Sequence, residues 1–174
     1  MLEIEKTYLI KALPGDLGKY SREEISQGYL SETVNEPPPL RIRQKGKKFE
    51  LTKKFRSNKD LSMAEEINLP LSQEEFNRLW PLVVMSLEKT RYYFPLDSGL
   101  TAEVDVFHGD LEGLFWVEVE FKSPQQMRSF VPLPWFGPDI TNESWSSNSF
   151  LAGSSYDEIK HLILAKESKT RDNP

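Results

Sequence analysis

The chain has 174 residues, enough for one domain with a sizeable core and too few for two of ordinary size. A net charge of −5 disfavours a general attraction to nucleic acid or to an acidic membrane surface, and 38% hydrophobic with 28% charged residues is ordinary globular composition. No Cys, no signal peptide and no long apolar segment is present, so we predict a cytoplasmic protein without disulfides.

We predict a single domain over residues 1–166 and a short polar tail over residues 167–174. Within the domain, eight segments alternate residue by residue between apolar and polar side chains, which is the pattern of β-strands. Their connections are short enough for antiparallel neighbours. The predicted strands are 2–10, 25–31, 40–44, 49–56, 63–69, 86–94, 101–107 and 114–122.

Three predicted helices interrupt or follow the strands, and each has a recognisable N-terminal signal. Ser72 and Glu75 form a capping box that opens the first helix, and Ser123 followed by Pro is the N-cap of the second. Ser155 and Glu158 open a last helix with one apolar face. This last helix either closes one end of the strand assembly or packs on its outer wall.

The polar faces of the predicted strands carry like charges two residues apart, with acids and bases on separate strands. Such neighbours point the same way about 6.6 Å apart, which costs free energy unless an opposite charge lies between them. An ordinary half-buried strand instead shows a scatter of Thr, Ser, Lys and Glu on its polar face. The pairs are Glu3 and Glu5, Arg41 and Arg43, Lys54 and Arg56, Lys89 and Arg91, Glu103 and Asp105, and Glu118 and Glu120.

A solvated outer sheet face would explain any one of these pairs, but the repetition favours a closed barrel with a polar lumen. We therefore predict a mainly β fold of the α+β class: an eight-stranded antiparallel closed barrel, or tunnel, with a charged lumen and flanking helices. Arg side chains match phosphate oxygens, and clustered carboxylates, among which we include Glu66, favour hard divalent cations such as Mg²⁺ or Mn²⁺. A metal-bound polyphosphate satisfies both sets of charges.

Short motifs along residues 1 to 153 resemble, in order, those of the CYTH superfamily, the triphosphate tunnel metalloenzymes. They are Glu3-Ile4-Glu5, Gln27-Gly28-Tyr29-Leu30, Arg41-Ile42-Arg43, Thr52-Lys53-Lys54, Glu88-Lys89-Thr90-Arg91-Tyr92, Glu103-Val104-Asp105-Val106-Phe107 and Val117-Glu118-Val119-Glu120-Phe121. The later Pro134-Trp135-Phe136-Gly137, Asn148, Leu151 and Ala152 resemble small bacterial members in particular. The resemblance implies an eight-stranded tunnel, dependence on a divalent metal, and hydrolysis of inorganic triphosphate or of a nucleoside or thiamine triphosphate.

The resemblance also implies roles for the lumen residues. The expected catalytic set is Lys89, Arg91, Glu103 and Asp105, the last two as further metal ligands or as holders of the attacking water. The expected phosphate-binding set is Arg41, Arg43, Lys54, Arg56, Lys89 and Arg91. The expected ligands of Mg²⁺ or Mn²⁺ are Glu3, Glu5, Glu66, Glu118 and Glu120. The expected partner is a small-molecule triphosphate, with neither nucleic acid nor membrane; monomer and homodimer stay equally open.

One position departs from the family pattern. The opening motif of the family is Glu-x-Glu-x-Lys, and Thr7 stands where the Lys is expected. Strict alternation sends the neighbouring Lys6 to the outer face, whereas a β-bulge would turn it inward. Two rival functions therefore stay open: a class IV-type adenylate cyclase in the same tunnel, and a non-catalytic polyphosphate-binding module, which Thr7 favours.

Two further segments have simpler predictions. The basic segment 44–48 is typical of a solvated hairpin turn. Trp135 and Phe136, set between prolines and a glycine, are predicted to form a packing plug.

Overall fold

The computed structural model describes residues 2–31, 40–57, 60–97 and 99–171, and its framework is a nine-stranded antiparallel sheet. The strands are β1 (Leu2–Ile10), β2 (Ser21–Tyr29), β3 (Leu40–Lys45), β4 (Lys48–Ser57), β5 (Asp60–Leu71), β6 (Met85–Pro95), β7 (Thr101–Phe107), β8 (Phe115–Glu120) and β9 (Phe136–Asp139). Eight of them follow the order β5-β4-β3-β2-β6-β7-β8-β1. The first half of β1 also pairs with β5, with Glu3 opposite Ala64, so the sheet closes into the predicted barrel.

Two features of the sheet differ from the sequence prediction. Strand β2 begins at Ser21 rather than at residue 25, because its first four residues are polar on both faces and give no alternating signal. Strand β9 was not predicted, since its four residues contain a Gly and a Pro. It pairs with the second half of β1, with Tyr8 opposite Asp139.

The helices are α1 (Gln73–Leu79), α2 (Pro124–Ser129), α3 (Asn148–Leu151) and α4 (Tyr156–Arg171). The predicted caps are confirmed, because Ser72 and Ser123 each accept a backbone N–H hydrogen bond of 3.2 Å through the side-chain hydroxyl. A single turn such as α3 is too short to show a helical period. No helix in the described ranges combines the length and the apolarity needed to span a membrane.

The apolar side chains separate into two clusters according to the face of the strand on which they lie. The outer cluster covers the barrel wall and includes Tyr8, Val104 and Val117 together with Phe136. The ring of Phe136 lies 5.2 Å from that of Tyr8, which confirms the predicted packing role of this segment.

The second group, here called the floor cluster, closes one end of the lumen. Leu9, Leu87, Phe107 and Trp116 all alternate onto the lumen side of their strands, and they pack against Ile159 and Ile163 of α4. Each fully buried side chain of this size stabilises the fold by about 1.5–3 kcal/mol. Of the two positions open for the last helix, the structure therefore selects the end of the barrel.

Candidate active site

Cross-strand register places the predicted charged residues on one face, because residues directly opposite one another in a sheet point to the same side. Arg91 lies opposite Asp105, Glu103 opposite Glu118, and Glu5 opposite Glu120. On the other side of the barrel, Lys54 lies opposite Glu66 and Arg43 opposite Glu50. The side chains in the ion pairs of Arg41, Arg43, Lys54, Lys89 and Arg91 are 0% to 26% exposed, so they lie in the lumen and not on a solvated outer face.

Asp105 is the centre of the deepest ion-pair network. Its carboxylate is fully buried and accepts from Lys89 Nζ at 2.5 Å, from Arg91 Nε and Nη2 at 2.7 Å each, and from Trp116 Nε1 at 2.8 Å. Burial raises the pKa of Asp105, but Arg91 and Lys89 outweigh burial and hold that pKa well below its usual range. With its oxygens engaged in this way, Asp105 orients the two cations.

The two cations bound by Asp105 reach different partners. Arg91 also pairs with Glu103 and Glu118. Burial lowers the pKa of Arg91, but Asp105 first, and then Glu118 and Glu103, raise it well above the ordinary value. Lys89 is 2% exposed and donates to Asn148 Oδ1 at 3.0 Å. Burial lowers its pKa, and Asp105 offsets only part of that effect. Lys89 and Arg91 thus lie together at the closed half of the lumen.

A second network lies across the lumen around Lys54. Its ammonium contacts Glu3, lies 3.1 Å from Glu5 Oε1 and 3.6 Å from Glu66 Oε1. Glu66 also lies 3.5 Å from Arg41. Burial raises the pKa of Glu66, but Arg41 and Lys54 produce a net lowering. Glu66, which the sequence analysis assigned to the metal, therefore lies between two cations.

The arginines of β3 and β6 crowd one another. The pKa of Arg43 is lowered first by burial and then by Arg41; Glu50 partly offsets this, and Arg91 lowers it further. The Nε of Arg41 is buried and has no hydrogen-bond partner among the described residues. Crowded guanidinium groups with an unused donor form a site that suits an anion.

The carboxylates opposite crowd one another in the same way. Partial burial and the neighbouring Glu103, Glu3 and Glu5 raise the pKa of Glu120 to about 7. Burial also raises the pKa of Glu118, although Arg91 partly counteracts it. A donor set of carboxylate oxygens is the one that Mg²⁺ and Mn²⁺ prefer, so these residues fit a divalent metal chemically. In the present side-chain arrangement no three Asp, Glu or His side chains of the described residues already converge on one metal position.

The structure confirms simple alternation at the position where the sequence departs from the family pattern. Thr7 lies opposite Glu118 on the lumen face and is 6% exposed. Lys6 lies opposite Val119 on the outer face, and its ammonium lies 3.4 Å from Asp139 of β9. No bulge turns Lys6 inward, so the lumen holds a hydroxyl in place of the expected ammonium.

Some site residues fall outside the sequence prediction or outside the described part. Arg56 of β4 lies opposite Ala64 of β5, but the side chain of Arg56 is outside the described part of the structure. The roles of Trp116 and Asn148 as partners of Asp105 and Lys89 were not predicted. Alternation does place Trp116 on the face of Glu118, but an indole in a strand is usually taken as apolar packing.

Comparison with known proteins identifies the family. The chain is 39% identical over 154 residues to an inorganic triphosphatase of Nitrosomonas europaea, a match that covers 87% of this chain and 97% of that protein. The chain belongs to the inorganic triphosphatase family. It is also 29% identical over 160 residues to an inorganic triphosphatase of Acetivibrio thermocellus, which covers 91% of this chain and 97% of that protein.

Structural comparison agrees with the sequence comparison. The crystal structure of an inorganic triphosphatase superposes with a TM-score of 0.64 at 34% identity, covering 87% of this chain and 95% of that one. No family model matches the chain. The resemblance to the CYTH superfamily is confirmed by these relatives, and the family's barrel is the fold described above.

Proposed function

We propose that the protein is a divalent-metal-dependent phosphohydrolase that acts on triphosphates, and that inorganic tripolyphosphate is its main substrate. The observation that carries the proposal is the pair of crowded charge sets in one lumen. Burial and like charges lower the pKa of Arg43, while partial burial and like charges raise the pKa of Glu120 to about 7. A phosphate chain relieves the first set and a divalent cation relieves the second. The relatives named inorganic triphosphatase support the same substrate class.

In this proposal the cations of β3, β4 and β6 hold the phosphate oxygens and neutralise the charge that develops in phosphoryl transfer. Arg91 is fully paired here with Asp105, Glu103 and Glu118, so substrate binding requires an exchange of partners. Glu103 and Glu118 release Arg91 to the phosphates, while buried Asp105 keeps its orientation. The phosphate-binding set is Arg41, Arg43, Lys54, Lys89 and Arg91.

The carboxylates at the other side of the lumen would hold the metal. Glu118 and Glu120 with Glu3 and Glu5 are the proposed ligands, and Glu103 completes the set after it leaves Arg91. Mg²⁺ or Mn²⁺ held by these residues would supply Lewis-acid polarisation of the scissile phosphoryl group and would lower the pKa of a bound water. We assign Asp105 a positioning role and place Glu66 with the cations, because each of these two carboxylates contacts two basic side chains.

A phosphate-release panel tests the proposal. We expect release from tripolyphosphate in Mg²⁺ or Mn²⁺, abolished by excess EDTA and restored by adding metal back. ATP, GTP, thiamine triphosphate and pyrophosphate rank the substrate class in the same assay, and cyclic AMP is measured in the ATP sample to test the cyclase alternative. Full activity in excess EDTA would contradict the proposed dependence on a divalent metal.

Thr7 favours a second candidate, a polyphosphate-binding module without catalysis. Its hydroxyl lies on the lumen face beside Glu118, where an ammonium would otherwise stabilise phosphate charge. Calorimetry that shows tight tripolyphosphate binding, with no phosphate released in either metal, would select this candidate. The cytoplasmic location predicted from the sequence stays a prediction.

A further inference from the structure

The open end of the lumen carries charged residues that the proposed reaction does not use. Along the lumen face of β6, Leu87 belongs to the floor cluster and is followed by Lys89, Arg91 and then Tyr93. Tyr93 therefore lies beyond Arg91 on the side away from the floor. Its hydroxyl donates to Glu23 Oε2 at 2.5 Å, and Glu23 lies opposite Arg91 in β2. These two residues mark the open mouth.

Strand β3 leads from the lumen to this mouth. Arg41, Arg43 and Lys45 alternate onto one face, so Lys45 lies about 6.6 Å beyond Arg43 along the strand. The exposed fraction of the side chain rises from 10% at Arg41 to 22% at Arg43 and 28% at Lys45. The phosphate-binding face of β3 thus continues toward solvent through one more cation.

The hairpin turn after β3 adds further positive charge at the mouth. Lys45 lies opposite Lys48, the first residue of β4, and Lys47 is exposed in the turn between them. Like charges directly opposite in a sheet are destabilising. Glu23 Oε2 lies 3.8 Å from Lys45 Nζ, a partly exposed ion pair that is weak and sensitive to salt. Of the three lysines at this turn, Lys45 therefore has one weak carboxylate partner, and Lys47 and Lys48 add positive charge next to it.

We propose that this mouth binds the additional phosphates of linear polyphosphates longer than triphosphate, through Lys45 together with Lys47 and Lys48. The inference rests on the proposed function, because a triphosphate seated in the lumen fixes where extra phosphates emerge. The floor cluster and α4 close the other end, so a longer chain leaves through the mouth. Glu23, held by Tyr93, competes with the incoming phosphate for Lys45 and weakens this binding.

The test compares tripolyphosphate with tetrapolyphosphate in the full-length protein. Phosphate release with Mg²⁺ gives the ratio of kcat/KM for the two substrates, and calorimetry in excess EDTA gives the ratio of Kd where no turnover occurs. We expect Lys45→Ala to reduce the preference for tetrapolyphosphate over tripolyphosphate at least fivefold in both ratios. The kcat/KM and the Kd for tripolyphosphate should stay unchanged. Glu23→Gln is expected to raise that preference.

Lys53→Ala is the matched control, because Lys53 lies in the same hairpin on the outer face of β4, 5.3 Å from the ring of Phe55. It should leave the ratio unchanged, and a melting temperature confirms that each variant is folded. An unchanged ratio in Lys45→Ala, or an equal loss for both substrates, overturns the mouth site and leaves the proposed function standing. If the protein neither binds nor hydrolyses either compound, both the mouth site and the proposed function are overturned.

Discussion

Thr7 lies on the lumen face at the position where the family's opening motif, Glu-x-Glu-x-Lys, predicts a lysine. We expect Thr7→Lys to raise kcat/KM on tripolyphosphate about tenfold, because an added charged donor strengthens phosphate binding by about 1–3 kcal/mol. Steady-state phosphate release measures this. Lys6→Ala is the control, since Lys6 pairs with Asp139 outside the barrel, and it should change little. A loss in Lys6→Ala as large as that in Glu5→Gln would contradict the outward position of Lys6.

Arg43 and Glu120 represent the two crowded charge sets. We expect Arg43→Ala and Glu120→Gln each to lower kcat/KM more than a hundredfold, or roughly 2.7 kcal/mol, because each removes charge that the proposed transition state requires. Circular dichroism should show an intact barrel in both. Near-normal kinetics in both variants would remove these residues from the site.

Asp105 should matter to stability as much as to activity. Asp105→Asn leaves buried Lys89 without its carboxylate partner and removes one of the three carboxylates paired with Arg91, so we expect the free energy of unfolding to fall by about 3–5 kcal/mol. Because the pKa of Asp105 is lowered on folding, its contribution is fully present above the unfolded pKa of about 4 and is lost on further acidification. Urea unfolding at pH 7 and pH 3 measures both effects. Equal stability of wild type and variant at pH 7 would show that the network is not stabilising.

Alternation identified which charges face the lumen, but it could not identify their partners. Whether a carboxylate meets a cation or another carboxylate depends on register with strands distant in the sequence. Asp105 and Glu120 look equivalent in their strands, yet one is enclosed by basic groups and the other lies among acids. The positioning role of Asp105 and the cationic surroundings of Glu66 were therefore beyond sequence reasoning.

At the scale of elements, the strands that alternate were predicted and those that do not were misjudged. The polar start of β2 borders the lumen mouth, so neither of its faces is apolar. Strand β9 and helix α3 contain four residues each, fewer than a period needs. The position of α4 was left open because its apolar face fits either surface, and only the floor residues contributed by four different strands select the barrel end.

Gly28 shows how closely the short 3₁₀ turn after α1 packs on the barrel wall. A Cβ at this position would lie 2.5 Å from Val83 Cγ2 and 3.2 Å from the ring of Trp80. We expect Gly28→Ala to lower the free energy of unfolding by about 1–3 kcal/mol through overpacking. Ser86→Ala, an exposed change opposite Gly28, should have little effect in the same denaturant titration. Equal stability of Gly28→Ala and wild type would show that the turn moves away freely.

At the scale of the whole molecule, barrel closure brings together charges that separate strands could not. Glu120 lies opposite Glu5 through the pairing of β1 with β8, while the pairing of β1 with β5 brings Lys54 and its carboxylates together. The lumen therefore holds carboxylates close enough together to repel one another. Ligands that relieve the repulsion should stabilise the fold.

A crossed pattern of stability tests this coupling between lumen charge and folding. In excess EDTA we expect Glu120→Gln to be more stable than wild type by about 1 kcal/mol, because it removes a carboxylate repelled by Glu103, Glu3 and Glu5. With Mg²⁺ or Mn²⁺ at a hundred times its Kd, wild type should gain about 2.7 kcal/mol and the variant much less. Thermal unfolding with and without metal measures both differences. Glu24→Gln, on the outer face of β2, is the control and should match wild type in both conditions. A metal-induced rise in Tm that is equal in wild type and Glu120→Gln would place the metal away from this carboxylate.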